Sequence, residues 1–121
     1  MKVLLLEDVS DMARVIKMAL SEYCEITHVE NGVEGARLIP TIEQFDLIIS
    51  DNQMPRMSGI EFIQELRRFN KGTPVVMFTA DDKIVMNQEQ YKKAYDIQEI
   101  FMKDLSKLEH FVRMKKKSLT M

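Results

Sequence analysis

Glu7 and Asp8 directly follow the apolar run Val3-Leu4-Leu5-Leu6, and Asp51 directly follows Leu47-Ile48-Ile49-Ser50. If both runs are strands of one parallel sheet, their ends share an edge, and three carboxylates from distant parts of the chain converge there. Two carboxylates about 5 Å apart repel by roughly 3 kcal/mol at an effective dielectric of 20, so such a cluster is held open for a cation. Carboxylates are hard oxygen ligands, and Mg²⁺ favours sites where a few of them are completed by water and phosphate oxygens. Asp8 and Asp51 are the candidate direct ligands, with Glu7 holding a coordinated water. Asp51 can also be a nucleophile toward phosphorus, because a carboxylate forms an aspartyl phosphate without a general base. Phosphoryl transfer then depends on positioning and charge neutralisation. Thr79 and Lys103, each at the end of a later apolar run, offer a hydroxyl and an ammonium for the phosphoryl oxygens.

The elements that must position these groups are legible in the alternation of short β-rich runs with helical periods. Strands are predicted at residues 2–6, 26–29, 46–50, 74–78 and 97–102. The first helix is expected to carry the stripe Met12, Val15, Ile16, Ala19 and Tyr23 with Ser10 as its N-cap. After an Asn31-Gly32 turn, Val33, Ala36 and Ile39 predict a short helix that Pro40 ends or kinks. Ser58-Gly59-Ile60-Glu61 is a capping box opening a helix with Phe62, Ile63, Leu66 and Phe69 on its buried stripe, stopped by Lys71-Gly72. A polar helix is expected over residues 83–95 and a last one over 105–116. Five strands each followed by a helix predict a single-domain α/β fold: a doubly wound, five-stranded parallel sheet of the flavodoxin-like (βα)5 type, covered on both faces.

Composition limits the function classes. A chain of 121 residues has room for one domain, and a formal charge of −2 gives no reason to expect nucleic acid or an anionic membrane as partner. No apolar segment reaches the ~18 residues of a membrane span. A lone cysteine, Cys24, cannot form an internal disulfide, and the N-terminal apolar stretch is too short for a signal peptide, so a cytoplasmic location is expected. Cys24 reads as structural, His28 as an exposed strand residue, Tyr91 and Tyr95 as helix packing, and the ten methionines as core filler. Arg113, Lys115, Lys116 and Lys117 form a basic run, read as a tail over about 113–121 that complements the last helix's negative end, meets solvent or touches an acidic partner, the first two being favoured.

Glu7-Asp8, the block Asp51-Asn52-Gln53-Met54-Pro55-Arg56-Met57-Ser58-Gly59, Thr79-Ala80 and Lys103 together resemble the receiver domain of bacterial response regulators, the CheY-like modules of two-component signalling. The resemblance spans nearly the whole chain and is most specific from Asp51 to Gly59. It implies that Asp51 is phosphorylated by a partner histidine kinase, and that Glu7, Asp8, Asp51 and the backbone carbonyl of Gln53 organise Mg²⁺. It further implies that Thr79 and Lys103 bind the phosphoryl group, and that a downstream protein reads the face of the fourth helix, fifth strand and fifth helix. Gln53 and Asp81 would influence the lifetime of the acyl phosphate.

The chain departs from the family pattern on the output side. Asp104 follows Lys103 where the family usually has a proline after a cis bond; a cis bond here would cost ~3 kcal/mol, so a trans bond and a remodelled loop are predicted. The usual aromatic switch position, three before the lysine, is Ile100, and Phe101 should point to the opposite face of its strand. Without the family's glycine-alanine pair before the last strand, the fourth helix is expected to be displaced or mobile. A haloacid-dehalogenase-type phosphatase needs a second acid where Gln53 stands, and a flavodoxin-like electron carrier needs a hydroxyl-rich phosphate loop where Glu7-Asp8 would repel phosphate. The expectation is a stand-alone, non-enzymatic receiver. The alternatives are an atypical receiver that binds partners without phosphorylation, and a phosphorelay intermediate.

Overall fold

The computed structural model describes all 121 residues. Five strands, β1 (Lys2–Leu6), β2 (Glu25–Val29), β3 (Leu47–Ser50), β4 (Val75–Phe78) and β5 (Glu99–Phe101), form one sheet in the order β2-β1-β3-β4-β5, with every pairing parallel. The central strands are apolar on both faces because both faces are covered. On one face, Val3, Leu5, Leu47, Ile49, Val76 and Phe78 pack against Ala13, Ile16 and Leu20 of α1 (Ser10–Leu20) and Leu108 and Val112 of α6 (Leu105–Leu119). On the other, Leu4, Leu6, Ile48, Val75 and Met77 meet Phe62, Ile63 and Leu66 of α3 (Gly59–Phe69). The short helices α2 (Gly32–Ala36), α4 (Asp82–Met86) and α5 (Gln88–Tyr95) complete that second layer. The predicted α/β fold is present, and no helix is long and apolar enough to cross a membrane.

Several predicted boundaries move, each for a local reason. Val9, not Ser10, is the N-cap of α1, and its apolar side chain has no oxygen to offer the first turn; the Glu7 carboxylate accepts from Val9 N at 3.3 Å. Ile16 is buried as expected, but its fully buried neighbours on the helix are Ala13 and Leu20, with Met12 and Tyr23 only partly buried and Val15 exposed. The second helix stops at Ala36, and Pro40 sits in a following 3₁₀ segment, Ile39–Gln44. Phe69, expected on the buried stripe, is the last residue of α3 and is exposed, with the Arg68 guanidinium 5.6 Å from its ring centroid. The single helix expected over 83–95 is two, α4 and α5, broken at Asn87 with φ −116° and ψ 29°. The expected basic tail is helical as far as Leu119, with Lys116 and Lys117 in the last turn of α6.

Candidate functional site

β1 and β3 lie side by side at the centre of the sheet, and their register pairs Leu6 with Ser50. The next residues on each strand, Glu7 and Asp51, therefore leave the sheet together, at the point where the chain's strand order reverses. Backbone bonds extend the ladder past both ends: Asp51 N donates to Leu6 O at 3.0 Å and Glu7 N to Val29 O at 3.1 Å. Ligand atoms of Glu7, Asp8 and Asp51 all lie within 4.8 Å of one another, with Glu7 and Asp51 buried and Asp8 exposed. Three hard carboxylates at one edge, one of them open to solvent, are a donor set suited to a divalent cation such as Mg²⁺.

Lys103 enters from the far side of the sheet. Thr79 N bonds Phe101 O at 2.9 Å, which brings the ends of β4 and β5 together, and Lys103 N turns back onto the same Phe101 carbonyl at 3.0 Å. That tight turn puts Lys103 in the left-handed region at φ 42°, at a cost of roughly 1–2 kcal/mol. The bond to Asp104 is trans, as predicted. The turn directs the ammonium to Glu7 Oε1 at 2.7 Å and Asp51 Oδ2 at 3.2 Å, 5.0 Å from the centroid of the Phe78 ring. Burial pushes the Glu7 carboxyl above its ordinary pKa against the lowering pull of Lys103. One ammonium among three carboxylates leaves the cluster net negative.

The loop after β3 is built around close backbone approach. A Cβ on Gly59 would collide with the Asp51 carbonyl and crowd Ser50 Oγ, which itself donates to that carbonyl at 2.7 Å. Only glycine lets α3 start there, and the Ser58–Glu61 capping box predicted from sequence closes its first turn in both directions, at 3.1 and 3.0 Å. Gln53 is exposed in this loop, and its carbonyl accepts no hydrogen bond from the chain. Thr79 is fully buried, its hydroxyl oxygen accepting from Asp81 N at 3.1 Å.

Three neighbours escaped sequence reading. His28, expected to be exposed, is half-buried with Nε2 2.7 Å from the Glu7 carbonyl, because β2 pairs with β1 beside the site. Phe78 lies under Lys103. Asn52 bridges two loops, its Oδ1 accepting from Ile60 N at 3.0 Å and its Nδ2 donating to Asp81 at 2.8 Å. Adjacency to Asp51 was the one available hint for Asn52, since its partner lies 29 residues away.

The model of the response regulator receiver domain matches residues 3–114. The chain belongs to that family. As a receiver domain it is a signalling module of two-component systems, a class whose members interact with histidine kinases and downstream targets. It is 33% identical over 85 residues to chemotaxis protein CheY1 of Helicobacter pylori, an alignment covering 67% of this chain and 68% of that protein. It is 37% identical over 91 residues to the autoinducer 2 sensor kinase/phosphatase LuxQ of Vibrio vulnificus, covering 74% of this chain and 10% of LuxQ. The receiver thus spans only a tenth of that relative. Among solved structures, the receiver domain of the Francisella response regulator 1452 superposes with a TM-score of 0.84 at 29% identity, over 98% of each chain.

Proposed function

We propose that this receiver takes a phosphoryl group onto Asp51 from a phosphohistidine of a sensor kinase, and signals through altered affinity for a downstream protein. The observation that carries the reading is the meeting of the Glu7, Asp8 and Asp51 carboxylates within 4.8 Å, with Lys103 bonded to Glu7 and Asp51. The reading takes residues 1–121 as one receiver domain, at work in the cytoplasm. An Asp51 carboxylate oxygen attacks phosphorus, a P–O bond forms as the P–N bond to the kinase imidazole breaks, and the released imidazole keeps its electron pair. Glu7, Asp8, Asp51 and the Gln53 carbonyl would hold Mg²⁺, which supplies charge neutralisation for the phosphoryl oxygens when bound. Asp51 Oδ1 is held by Asn52 N at 2.6 Å, which limits how the nucleophile can turn. Lys103 exchanges part of its bonding to the carboxylates for a phosphoryl oxygen. Thr79, whose oxygen already accepts from Asp81 N, has its hydroxyl proton free to donate. Release of the group to water, or to a histidine of another protein as in a phosphorelay, reverses the same contacts.

The output face of this reading comprises α4, α5, β5 and α6, where Met86 and Met102 are exposed and Val85, Gln88, Met102 and Lys107 line a groove. A second reading, partner binding without phosphorylation, is favoured by Ile100, which is buried in the core where an aromatic switch would sit. Intact mass after acetyl phosphate and Mg²⁺ tests the first. One added phosphoryl group in the native chain and none in Asp51→Asn are expected, together with a higher melting temperature of metal-free Asp51→Asn from relieved carboxylate repulsion. An Asp51→Asn chain that still gains the group removes Asp51 from the role. Full labelling with unchanged partner capture would favour the second reading.

A further inference from the structure

Asp81 is tied to the candidate site by two independent bonds. Its N–H donates to Thr79 Oγ1 at 3.1 Å, and its Oδ2 accepts from Asn52 Nδ2 at 2.8 Å. Its other oxygen, Oδ1, accepts from Lys83 N at 3.1 Å and so caps α4. Asn52 cannot reverse its amide, because its Oδ1 faces the Ile60 N–H, which can only donate, and its Nδ2 faces a carboxylate, which can only accept. The residue next to Asp51 is thereby joined through one side-chain pair to the start of a helix 29 residues on.

That helix is distinct from α5. α4 has five residues, is closed at its far end by Asn87 Nδ2 on Lys83 O at 2.8 Å, and anchors in the core through Ile84. α5 is held elsewhere, on α3: Arg67 donates to Tyr95 O at 3.0 Å and Asp96 O at 2.8 Å, and Gln64 to the Tyr95 hydroxyl at 2.9 Å. The break at Asn87 divides a helix linked to the site from a helix linked to the scaffold.

Resting on the proposed phosphorylation of Asp51, we infer that the Asn52–Asp81 hydrogen bond relays the state of Asp51 to α4, with Asn52 as the positioning residue and α5 left in place. A phosphoryl group recruits the Thr79 hydroxyl and loads the loop that carries Asn52. Both movements act on Asp81, and through its carboxylate on the cap of α4. This route needs no aromatic side chain at position 100. It requires two arrangements of the α4 cap that the phosphoryl group binds unequally.

The test is amide hydrogen exchange of residues 82–86 and 88–95, with and without acetyl phosphate and Mg²⁺, with labelling followed by intact mass on the same samples. In unlabelled Asn52→Ala, exchange in residues 83–86 should be about fivefold faster than in the native chain, with residues 88–95 unchanged. Labelling should alter exchange in 83–86 of the native chain and not of Asn52→Ala. The exchange pair Asn52→Asp with Asp81→Asn reverses donor and acceptor, keeps an acceptor for Ile60 N and a cap for Lys83 N, and should restore the response. A merely structural bond would regain its unlabelled exchange rate in the double variant without regaining the response to labelling. A labelled Asn52→Ala chain that responds like the native one, or a double variant that fails to restore, overturns the relay while leaving phosphorylation of Asp51 standing. A native chain that takes no label overturns both.

Discussion

Lys103 satisfies two buried carboxylates with one ammonium, at the cost of a left-handed backbone, and the acids it faces have no other cation bonded to them. Its removal leaves Glu7 and Asp51 uncompensated in a site closed to most solvent. Lys103→Met, which keeps the apolar stem over Phe78, should lower metal-free stability by about 1–3 kcal/mol in urea unfolding, with part of that loss restored by Mg²⁺. The opposite sign is expected for Asp51→Asn, so the two variants together separate pairing from repulsion. An unchanged Lys103→Met midpoint would mean that water screens the acids as well as the ammonium does. Gly59 acts through backbone alone: the space it leaves is occupied by the Asp51 carbonyl.

Helix starts carry much of the local precision. Asp104 caps α6, its Oδ1 accepting from Ser106 Oγ at 2.8 Å and Lys107 N at 3.2 Å, and these bonds hold its carboxyl below the ordinary value of 3.8. A depressed folded pKa means a contribution present above the unfolded value and lost as pH falls through the folded one. Asp104→Asn keeps a good cap that cannot titrate, so its urea midpoint should fall less steeply than the native chain's below pH 3.8. Parallel pH profiles would remove the cap from the acid response. The residue that replaces the family's proline thus opens the last helix, on a trans bond, one residue after the Lys103 turn.

In the molecule as a unit, β1 sits inside the sheet with helices on both faces, and Leu4 and Leu5 point to opposite cores. Leu5→Ala should cost about 2–5 kcal/mol and shift the denaturant midpoint without splitting the transition, because both cores share the strands between them. A biphasic transition would show that the two layers unfold separately. Cooperativity across the sheet also keeps the strand ends, and the acids on them, in register. The α4–α5 layer is built from two short helices with a break at Asn87.

Alternation of apolar runs with helical periods was enough to determine the five strands, the α/β class and the edge on which Glu7, Asp8, Asp51, Thr79 and Lys103 fall, because strand ends are set by local pattern and parallel pairing follows from the intervening helices. The capping box at Ser58 was equally local, and so was the trans bond before Asp104. Tertiary structure alone decided what depends on partners distant in sequence. It set Lys103 between Glu7 and Asp51, brought His28 to the Glu7 carbonyl, divided the helix at Asn87, and joined Asn52 to Asp81. A side chain's local sequence specifies its element and face, whereas the atom it meets across a crevice depends on how loops from different strands pack, and no period in the chain encodes that.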